Sequence, residues 1–321
     1  MKKRELLAGL ALLPLAKPAL AQEYPNRPIR LLVGFAAGGS TDVFARAIAP
    51  RLQALLGQPV VIENRPGAGG NIATEATTRS APDGYTLLLG TIGPLAINPT
   101  LYGNLSFDPL KDLTPVSLVG EVPNVLAVPV DRPFRSVTDI IAAAKARPEA
   151  LNFGSSGIGS AGHLAAEQLN LMAGIRTTHV PYRGGGALLP ELIAGRVDYA
   201  FTTALNGIPQ AEAGKLRILA VPNGKRVPLL PEIPTIAESG LPGFDGVDWA
   251  AMMAPPGLPA PILAKLNGAM QSVLKEPELV AAMAARRLVL EASTPEALAE
   301  FLRQETARWA PVVRASGARP D

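Results

Sequence analysis

Two glycine-rich turns carry the groups with the clearest chemical potential in this chain. The first is residues 35–42 (FAAGGSTD) and the second is residues 155–163 (SSGIGSAGH), each between an apolar run and an amphipathic stretch. Glycine lets the backbone adopt angles closed to other residues and lets a ligand approach closely. The first N–H groups of a helix lack intrahelical partners and carry partial positive charge, so each turn suits an anion. Each also fits a plain capped strand-to-helix turn, with Ser40 or Thr41 as the cap of the first helix.

The residues that could serve an enzyme are few and poorly spaced. The chain has no Cys, and its two histidines, His163 and His179, do not stand in a zinc-binding spacing. Ser160 and His163 lie three residues apart at a helix start, which seldom gives a productive nucleophile–base pair. Asp42 could act as a general base, although a carboxylate at a helix N-terminus more often caps and stays ionised. A secreted hydrolase or isomerase using Asp42, Ser160 or His163 is therefore the alternative, with no metal or cofactor expected.

The second turn also matches a nucleotide-binding pattern. Residues 157–162 read G-x-G-x-x-G between a strand and a helix, but the acid expected about twenty residues later is missing from residues 178–183 (THVPYR). Dinucleotide binding is therefore disfavoured. The same turn offers three hydroxyls beside exposed N–H groups, from Ser155, Ser156 and Ser160. Such groups make a neutral cradle for carboxylate oxygens, unless they only cap the helix.

The elements around these turns are predicted to form two α/β units. The first has a βαβαβ order, which favours a parallel sheet covered by helices, with strands at 29–34, 58–63 and 85–89. The second repeats the alternation, with strands at 125–130, 151–154, 177–182, 197–202 and 217–221. A last strand at 247–254 precedes helices at 260–274, at 276–286 and from Thr294 to about Trp309. Ligands of open parallel sheets lie beyond the carboxyl ends of the strands, where the polar turns fall.

The start of the chain has the pattern of a secretory signal peptide. Residues 1–21 combine a basic start, a short apolar run and the small-residue site Ala19-Leu20-Ala21, so cleavage after Ala21 and a periplasmic location are expected. The 30 basic and 27 acidic residues of the whole chain fall to 26 of each without this segment. No basic cluster remains that would indicate nucleic-acid binding, and we expect a soluble monomer.

Many stretches of the chain resemble one known family, the Bug or TctC-type extracytoplasmic solute receptors of tripartite tricarboxylate transporters. They cover nearly all of the chain after the signal peptide and occur in the family's order. The matching stretches are FAAGGSTD at 35–42, GQPVVIENRPGAGGNIA at 57–73, APDGYTLLLGT at 81–91, LAINPTLY at 95–102, LNFGSSGIGS at 151–160, HVPYRGGG at 179–186, AGKLRILAV at 213–221 and PTIAESGLPGF at 234–244.

The resemblance implies a fold and a function. The fold would be two doubly wound α/β domains with a ligand cleft between them, of the Venus-flytrap type. Residues 22–124 with 249–321 would form the first domain and 125–248 the second, with hinges near 122–127 and 247–252. The ligand would be a small carboxylate, such as a di- or tricarboxylate or an aromatic acid. The domains would close on it for delivery to a membrane permease, or to a membrane sensor in the case of an orphan receptor.

The resemblance also implies a set of ligand-binding residues, mostly backbone N–H groups and hydroxyls of the turns, with Asp42 holding the first turn. The candidates are Phe35, Ala37, Gly38, Gly39, Ser40, Thr41, Asp42, Gly90, Thr91, Asn98, Ser155, Ser156, Ser160, His163, Arg183 and Thr202. Thr202-Thr203 stands where the family commonly has Asp-Asn, which argues against an amino-acid ligand. Arg183 stands where Lys is frequent and could add a charge-assisted contact.

Overall fold

The computed structural model describes residues 24–320, so the predicted signal peptide lies outside the described residues. The strands are β1 Ile29–Val33, β2 Val60–Asn64, β3 Thr86–Thr91, β4 Thr114–Val122, β5 Asn124–Pro129, β6 Asn152–Ser155, β7 Thr178–Pro181, β8 Tyr199–Thr203, β9 Leu216–Ala220, β10 Asp248–Ala254 and β11 Val289–Leu290. The helices are α1 Ser40–Leu56, α2 Asn71–Thr78, α3 Asn98–Leu101, α4 Val137–Ala146, α5 Ala161–Ala173, α6 Gly185–Ile193, α7 Ala204–Glu212, α8 Ala260–Val273, α9 Pro277–Ala284 and α10 Pro295–Ser316. A 3₁₀ turn, Ala68–Gly70, and a π turn, Gly93–Ile97, complete them.

These strands form two mixed sheets. The six-stranded sheet has the order β11-β4-β10-β3-β1-β2, and the five-stranded sheet has the order β7-β6-β8-β5-β9. The predicted parallel pairing holds for β2-β1-β3 and for β7-β6-β8. The remaining strands of both sheets pair antiparallel. Each sheet with its helices forms one α/β domain.

The chain crosses between the domains where antiparallel strands meet. It leaves the first sheet at the end of β4, enters the second at β5, and returns at the start of β10, where Asp248 pairs with Val122. The predicted domain boundaries, 124/125 and 248/249, stay a prediction. Helix α10 bridges the domains, because Trp309 and Leu302 share a buried apolar cluster with Leu164 of α5.

The central strands β1, β3 and β10 of the first sheet are buried on both faces, as continuous apolar strands predict. In β1, Ile29, Leu31 and Val33 pack into a cluster on one face with the apolar stripe of α1, while Leu32 joins a second cluster on the other face. Alternate residues of a strand point to opposite faces, so one short apolar run contributes side chains to both clusters. Each fully buried aliphatic side chain contributes about 1.5–3 kcal/mol to the stability of the folded state.

The ends of helices α1 and α10 can be compared with the sequence-based predictions. Helix α1 begins at Ser40 with Gly39 at its N-cap and no side-chain cap, so the prediction that Ser40 or Thr41 caps it is wrong. Its C-cap is Gly57, which adopts the left-handed region that favours glycine. Thr294 caps α10 by accepting from the Ala297 N–H at 3.2 Å. The predicted end near Trp309 is too early, since buried residues continue to Val313 and the helix ends before Gly317.

Strand β4 was not predicted, although it is nine residues long. Its sequence contains Pro115 and Gly120, which both disfavour strand interiors. The register against β10 shifts twice along β4, so bulges accommodate the two residues. Gly120 has φ +151°, and a Cβ there would overlap the carbonyl oxygen of Val289 in β11.

We expect Gly120→Ala to destabilise the protein by about 2 kcal/mol or more, because the backbone is strained for alanine and the β4–β11 pairing must shift. Denaturant unfolding measures this change. The matched control is Gly268→Ala, in the exposed interior of α8, where a Cβ meets nothing within 4 Å. That variant should gain about 0.5–1 kcal/mol. Equal stability of the two variants would contradict the argument.

Candidate ligand-binding cleft

A cavity of about 260 Å³ lies between the two domains. It is lined by the turns that follow β1, β6, β7 and β8, together with Thr91 at the end of β3. These are carboxyl ends of strands, the predicted position for a ligand. The volume is just below the ~300–1,000 Å³ usual for ligand pockets, which suits a small metabolite.

Four helices begin at this cavity. The starts of α1 (Gly39, Ser40), α5 (Ser160, Ala161) and α6 (Gly184, Gly185) line it, as does Thr203, the residue before α7. Each helix N-terminus presents unpaired N–H groups and about half a positive charge. Their convergence makes the cleft a site for anions, even though it contains a single basic side chain, Arg183.

Ten of the sixteen candidate residues line the cavity, and the others lie behind it. The lining candidates are Phe35, Ala37, Gly39, Ser40, Thr41, Thr91, Ser156, Ser160, Arg183 and Thr202. Those outside the lining are Gly38, Asp42, Gly90, Asn98, Ser155 and His163. Ligand contact by any of these residues stays a prediction, and the packing of the second group indicates supporting roles.

Asp42 holds the first turn in shape. Its carboxylate accepts from the Gly38 N–H at 2.9 Å, from Arg46 Nε at 2.7 Å and from Asn64 Nδ2 at 3.0 Å. Asn64 also donates to the carbonyl of Phe35 at 3.0 Å. Burial acts to raise the pKa of Asp42, but the bonds from Arg46, Gly38 and Asn64 outweigh it and lower the pKa. The side chain is 2% exposed, so it is fixed as an anion behind the turn.

A pair of histidines supports the second turn. Ser155 Oγ lies 2.7 Å from His179 Nε2, the ring of His179 stacks on that of His163 at 4.1 Å, and His163 Nδ1 accepts from the Gly159 N–H at 3.1 Å. Burial lowers the pKa of His163 to about 3, with a contribution from His179, and burial lowers the pKa of His179 to about 4. Both rings are therefore neutral at pH 7. The Ser155–His179 contact resembles a nucleophile–base pair, but Ser155 is fully buried.

Asn98 lies where the two domains touch. It is buried and donates from Nδ2 to Asn71 Oδ1 at 2.8 Å. Three glycines let the backbones meet here. A Cβ on Gly69 would lie 2.6 Å from the Ile158 carbonyl oxygen, one on Gly93 would lie 2.7 Å from the Gly159 carbonyl oxygen, and one on Gly159 would overlap Asn98 Oδ1. The second turn thus packs directly on the first domain.

The charged residues of the lining are Arg183 and Asp248. Arg183 is exposed and forms no ion pair with the part of the chain that the structure describes. Burial raises the pKa of Asp248 to about 7, although the Trp249 N–H and the Asn124 amide favour its charged form. A carboxyl that titrates near neutrality inside a cleft is a mark of functional sites.

Sequence reasoning missed several lining residues. They are Ala36, Asn124, Ala161, Gly162, Gly184, Gly185, Gly186, Ala187, Leu188, Phe201, Thr203, Asn206 and Asp248. The glycine run 184–186, which opens a helix after a strand, was a usable signal. Asn124 and Asp248 fall within the predicted hinges. Polar residues in a hinge indicate that a cleft lies nearby. Asn206, on the first turn of α7, has no such signal.

Comparison with known proteins agrees with this geometry. Residues 44–318 match the family model described as "Tripartite tricarboxylate transporter family receptor" (TctC). The chain belongs to this family. Among curated relatives, protein BugT of Bordetella pertussis is 40% identical to this chain over 306 residues, covering 95% of this chain and 94% of BugT.

Solved structures of similar proteins share the fold of this TctC receptor. Rpa4515 of R. palustris with adipate has a TM-score of 0.88 and 38% identity, covering 93% of this chain and 100% of that one. MatC of Rhodopseudomonas palustris with bound malate has a TM-score of 0.85 and 34% identity, covering 90% and 100%. The periplasmic binding protein BugD has a TM-score of 0.85 and 34% identity, covering 92% and 99%. The predicted family and the two-domain α/β architecture are confirmed.

The matched family is one of transporter receptors, and BugD is a periplasmic binding protein. Within residues 24–320, no helix is both long and apolar enough to cross a membrane. Among the same residues, no group of three or more His, Cys, Asp or Glu side chains could hold a metal ion.

The histidine pair should make stability depend on pH. Unfolded histidines bind protons below about pH 6.5, while the folded rings stay neutral down to about pH 4, so the unfolded state binds more protons in this window. The free energy of unfolding should fall as pH drops from 6.5 towards 4, by up to about 1.4 kcal/mol per pH unit for each histidine. Glu167, which is half-buried and 3.8 Å from His163, and Asp248 both have a pKa raised by burial. Each of these carboxyl groups binds protons more readily in the folded state, so each offsets part of this loss.

Denaturant unfolding at several pH values measures this slope. In His163→Asn, the Asn Oδ1 can replace Nδ1 as acceptor for the Gly159 N–H. This variant should show a shallower loss between pH 6.5 and 4 than the natural chain. An unchanged slope in His163→Asn and in His179→Gln would show that the pair does not control acid stability.

Proposed function

We propose that this chain is a periplasmic receptor that captures a small organic carboxylate between its two domains and delivers it to a membrane permease. The observation that carries the proposal is the convergence of four helix N-termini on one cavity of about 260 Å³. Fixed N–H dipoles stabilise a carboxylate without a buried ion pair, and Arg183 at the rim adds a charge-assisted donor. The adipate and malate of the two R. palustris relatives belong to the same chemical class.

Capture would use closure of the domains. We assign residues 22–124 with 249–321 to one domain and 125–248 to the other, with hinges at the β4–β5 and β9–β10 crossings. A ligand that contacts both sets of turns binds the closed arrangement better than an open one, and so shifts the population towards it. The glycine contacts of residues 69, 93 and 159 bring the domains close enough for this.

A thermal-shift panel tests the ligand class. Mono-, di- and tricarboxylates, aromatic acids and neutral sugars are added to the protein without its residues 1–21. One carboxylate class should raise the melting temperature in a concentration-dependent way, because it binds the folded state alone. Stabilisation by neutral sugars and by no acid would refute the proposal.

The hydroxyls of the cleft should contribute to affinity. We expect Thr91→Ala and Ser156→Ala each to weaken binding of the identified carboxylate by about 1–2 kcal/mol, which is the order of a single hydrogen bond. Titration calorimetry measures the change. Ser272→Ala, on an exposed face of α8, is the matched control and should leave affinity unchanged. Unaltered affinity in both cleft variants would place the ligand elsewhere.

Closure of the two domains can be tested with a variant at the contact between them. Gly93 does not have a positive φ, so alanine suits its backbone, but the new Cβ would press on the Gly159 carbonyl of the other domain. We expect Gly93→Ala to weaken ligand binding about fivefold or more and to leave the unfolding of each domain nearly unchanged. Small-angle scattering with ligand should show a more open average shape than in the Gly268→Ala control. Full affinity and full compaction would argue against closure through this contact.

A further inference from the structure

Two polar side chains at the domain crossings face the cleft together. Asn124 opens β5 and Asp248 opens β10, and both line the cavity. The crossings are adjacent because Asp248 pairs with Val122 across the antiparallel strands β10 and β4. Two distant parts of the chain thus place an amide and a carboxyl at the hinge side of the cleft.

One atom of each group has no hydrogen-bond partner within residues 24–320. These atoms are Asp248 Oδ1, an acceptor, and Asn124 Nδ2, a donor. Both are shielded from solvent, and Asn124 as a whole is 3% exposed. Leaving a buried polar group unpaired is unfavourable, so a ligand that forms hydrogen bonds with both atoms removes that penalty. No hydrogen bond of good geometry joins Asn124 Nδ2 to Asp248, but the amide is near enough to favour the charged form of that carboxyl, so the two groups are neighbours.

We propose that Asp248 and Asn124 form a donor–acceptor subsite that recognises a hydroxyl group on the ligand, so that this receptor prefers a hydroxylated carboxylate. The inference rests on the proposed function, since it assigns part of the same cleft. A hydroxyl can donate to Asp248 Oδ1 and accept from Asn124 Nδ2 at once. The helix N-termini and Arg183 remain available for the ligand's carboxylate.

Other ligand groups fit this subsite less well. A second carboxylate would place an anion against the Asp248 carboxyl, and like charges at short distance repel. An ammonium group can donate to Asp248, but it has no lone pair to accept from Asn124. An alkyl group would leave both buried atoms unpaired. A hydroxyl is therefore the group that satisfies the acceptor and the donor together.

Titration calorimetry with matched ligand pairs tests the proposal. The pairs are succinate and malate, glutarate and 2-hydroxyglutarate, and benzoate and its hydroxybenzoates. In at least one pair, the natural chain should bind the hydroxylated member about tenfold more tightly. Asp248→Ala should reduce this ratio about fivefold or more, and Asn124→Ala should reduce it by less, because it leaves the charged acceptor in place.

Two further variants separate recognition from folding. Asp248→Asn has nearly the same shape and keeps an acceptor oxygen, so it should retain part of the preference. Asp131→Ala, an exposed aspartate in the turn after β5, should retain all of it. Thermal unfolding of each variant confirms that the compared proteins are folded.

The outcomes are distinct. Equal binding of hydroxylated and unsubstituted acids by the natural chain, or an unchanged ratio in Asp248→Ala, overturns the subsite and leaves the proposed function intact. A preference for the amino acids aspartate or glutamate over all hydroxy acids also overturns it, in favour of ammonium recognition. If no carboxylate of any pair binds, the proposed function itself fails, and the subsite with it.

Discussion

The structure depends on a single geometric constraint, the meeting of strand ends and helix starts at one place. Parallel strands end at the same edge of a sheet, and the helix that follows each strand starts there. In this chain the rule operates in two sheets that face each other, so the starts of α1, α5, α6 and α7 border one cavity. The resulting field is positive although lysine is absent from the lining. The attraction of the cavity for an anion thus comes from the backbone. The lining side chains determine the shape of the cavity.

Holding the two sheets in this relation requires close approach of backbones rather than large side chains. Gly69, Gly93 and Gly159 allow the second turn to rest on the first domain, and a methyl group at any of them would push the domains apart. Helix α10 adds a buried apolar contact across the same boundary through Trp309. The chain crosses between the domains once from β4 to β5 and once at the start of β10. Such connections can bend, because the change is confined to a few residues.

Much of this architecture can be predicted from local sequence patterns. The rest depends on packing between residues that are far apart in the sequence. The apolar run of β1 and the glycine-rich turn before α1 could be predicted, since each depends on residues close together in the sequence. The strand β4 was missed because Pro115 and Gly120 argue against a strand, and only its partners β10 and β11 reveal the bulges that accommodate them. The turns that face the cavity were found as motifs. Which of their side chains point inward depends on partners such as Asn64 and His179, which lie elsewhere in the sequence.

Two aspartates beside the cleft show why the role of a side chain could not be predicted from its neighbours in the sequence. Asp42 and Asp248 both stand in polar stretches, yet Asp42 receives donors from Gly38, Arg46 and Asn64 and has its pKa lowered. Asp248 interacts with the Trp249 N–H and the Asn124 amide, which burial outweighs, and one of its oxygens stays unpaired. A carboxylate with all its donors supplied by the fold has nothing left to offer a ligand. One that the fold leaves partly unpaired is costly in isolation, and that cost is recovered when a ligand donates to it. The number of donors that the fold supplies therefore separates a structural aspartate from a recognising one.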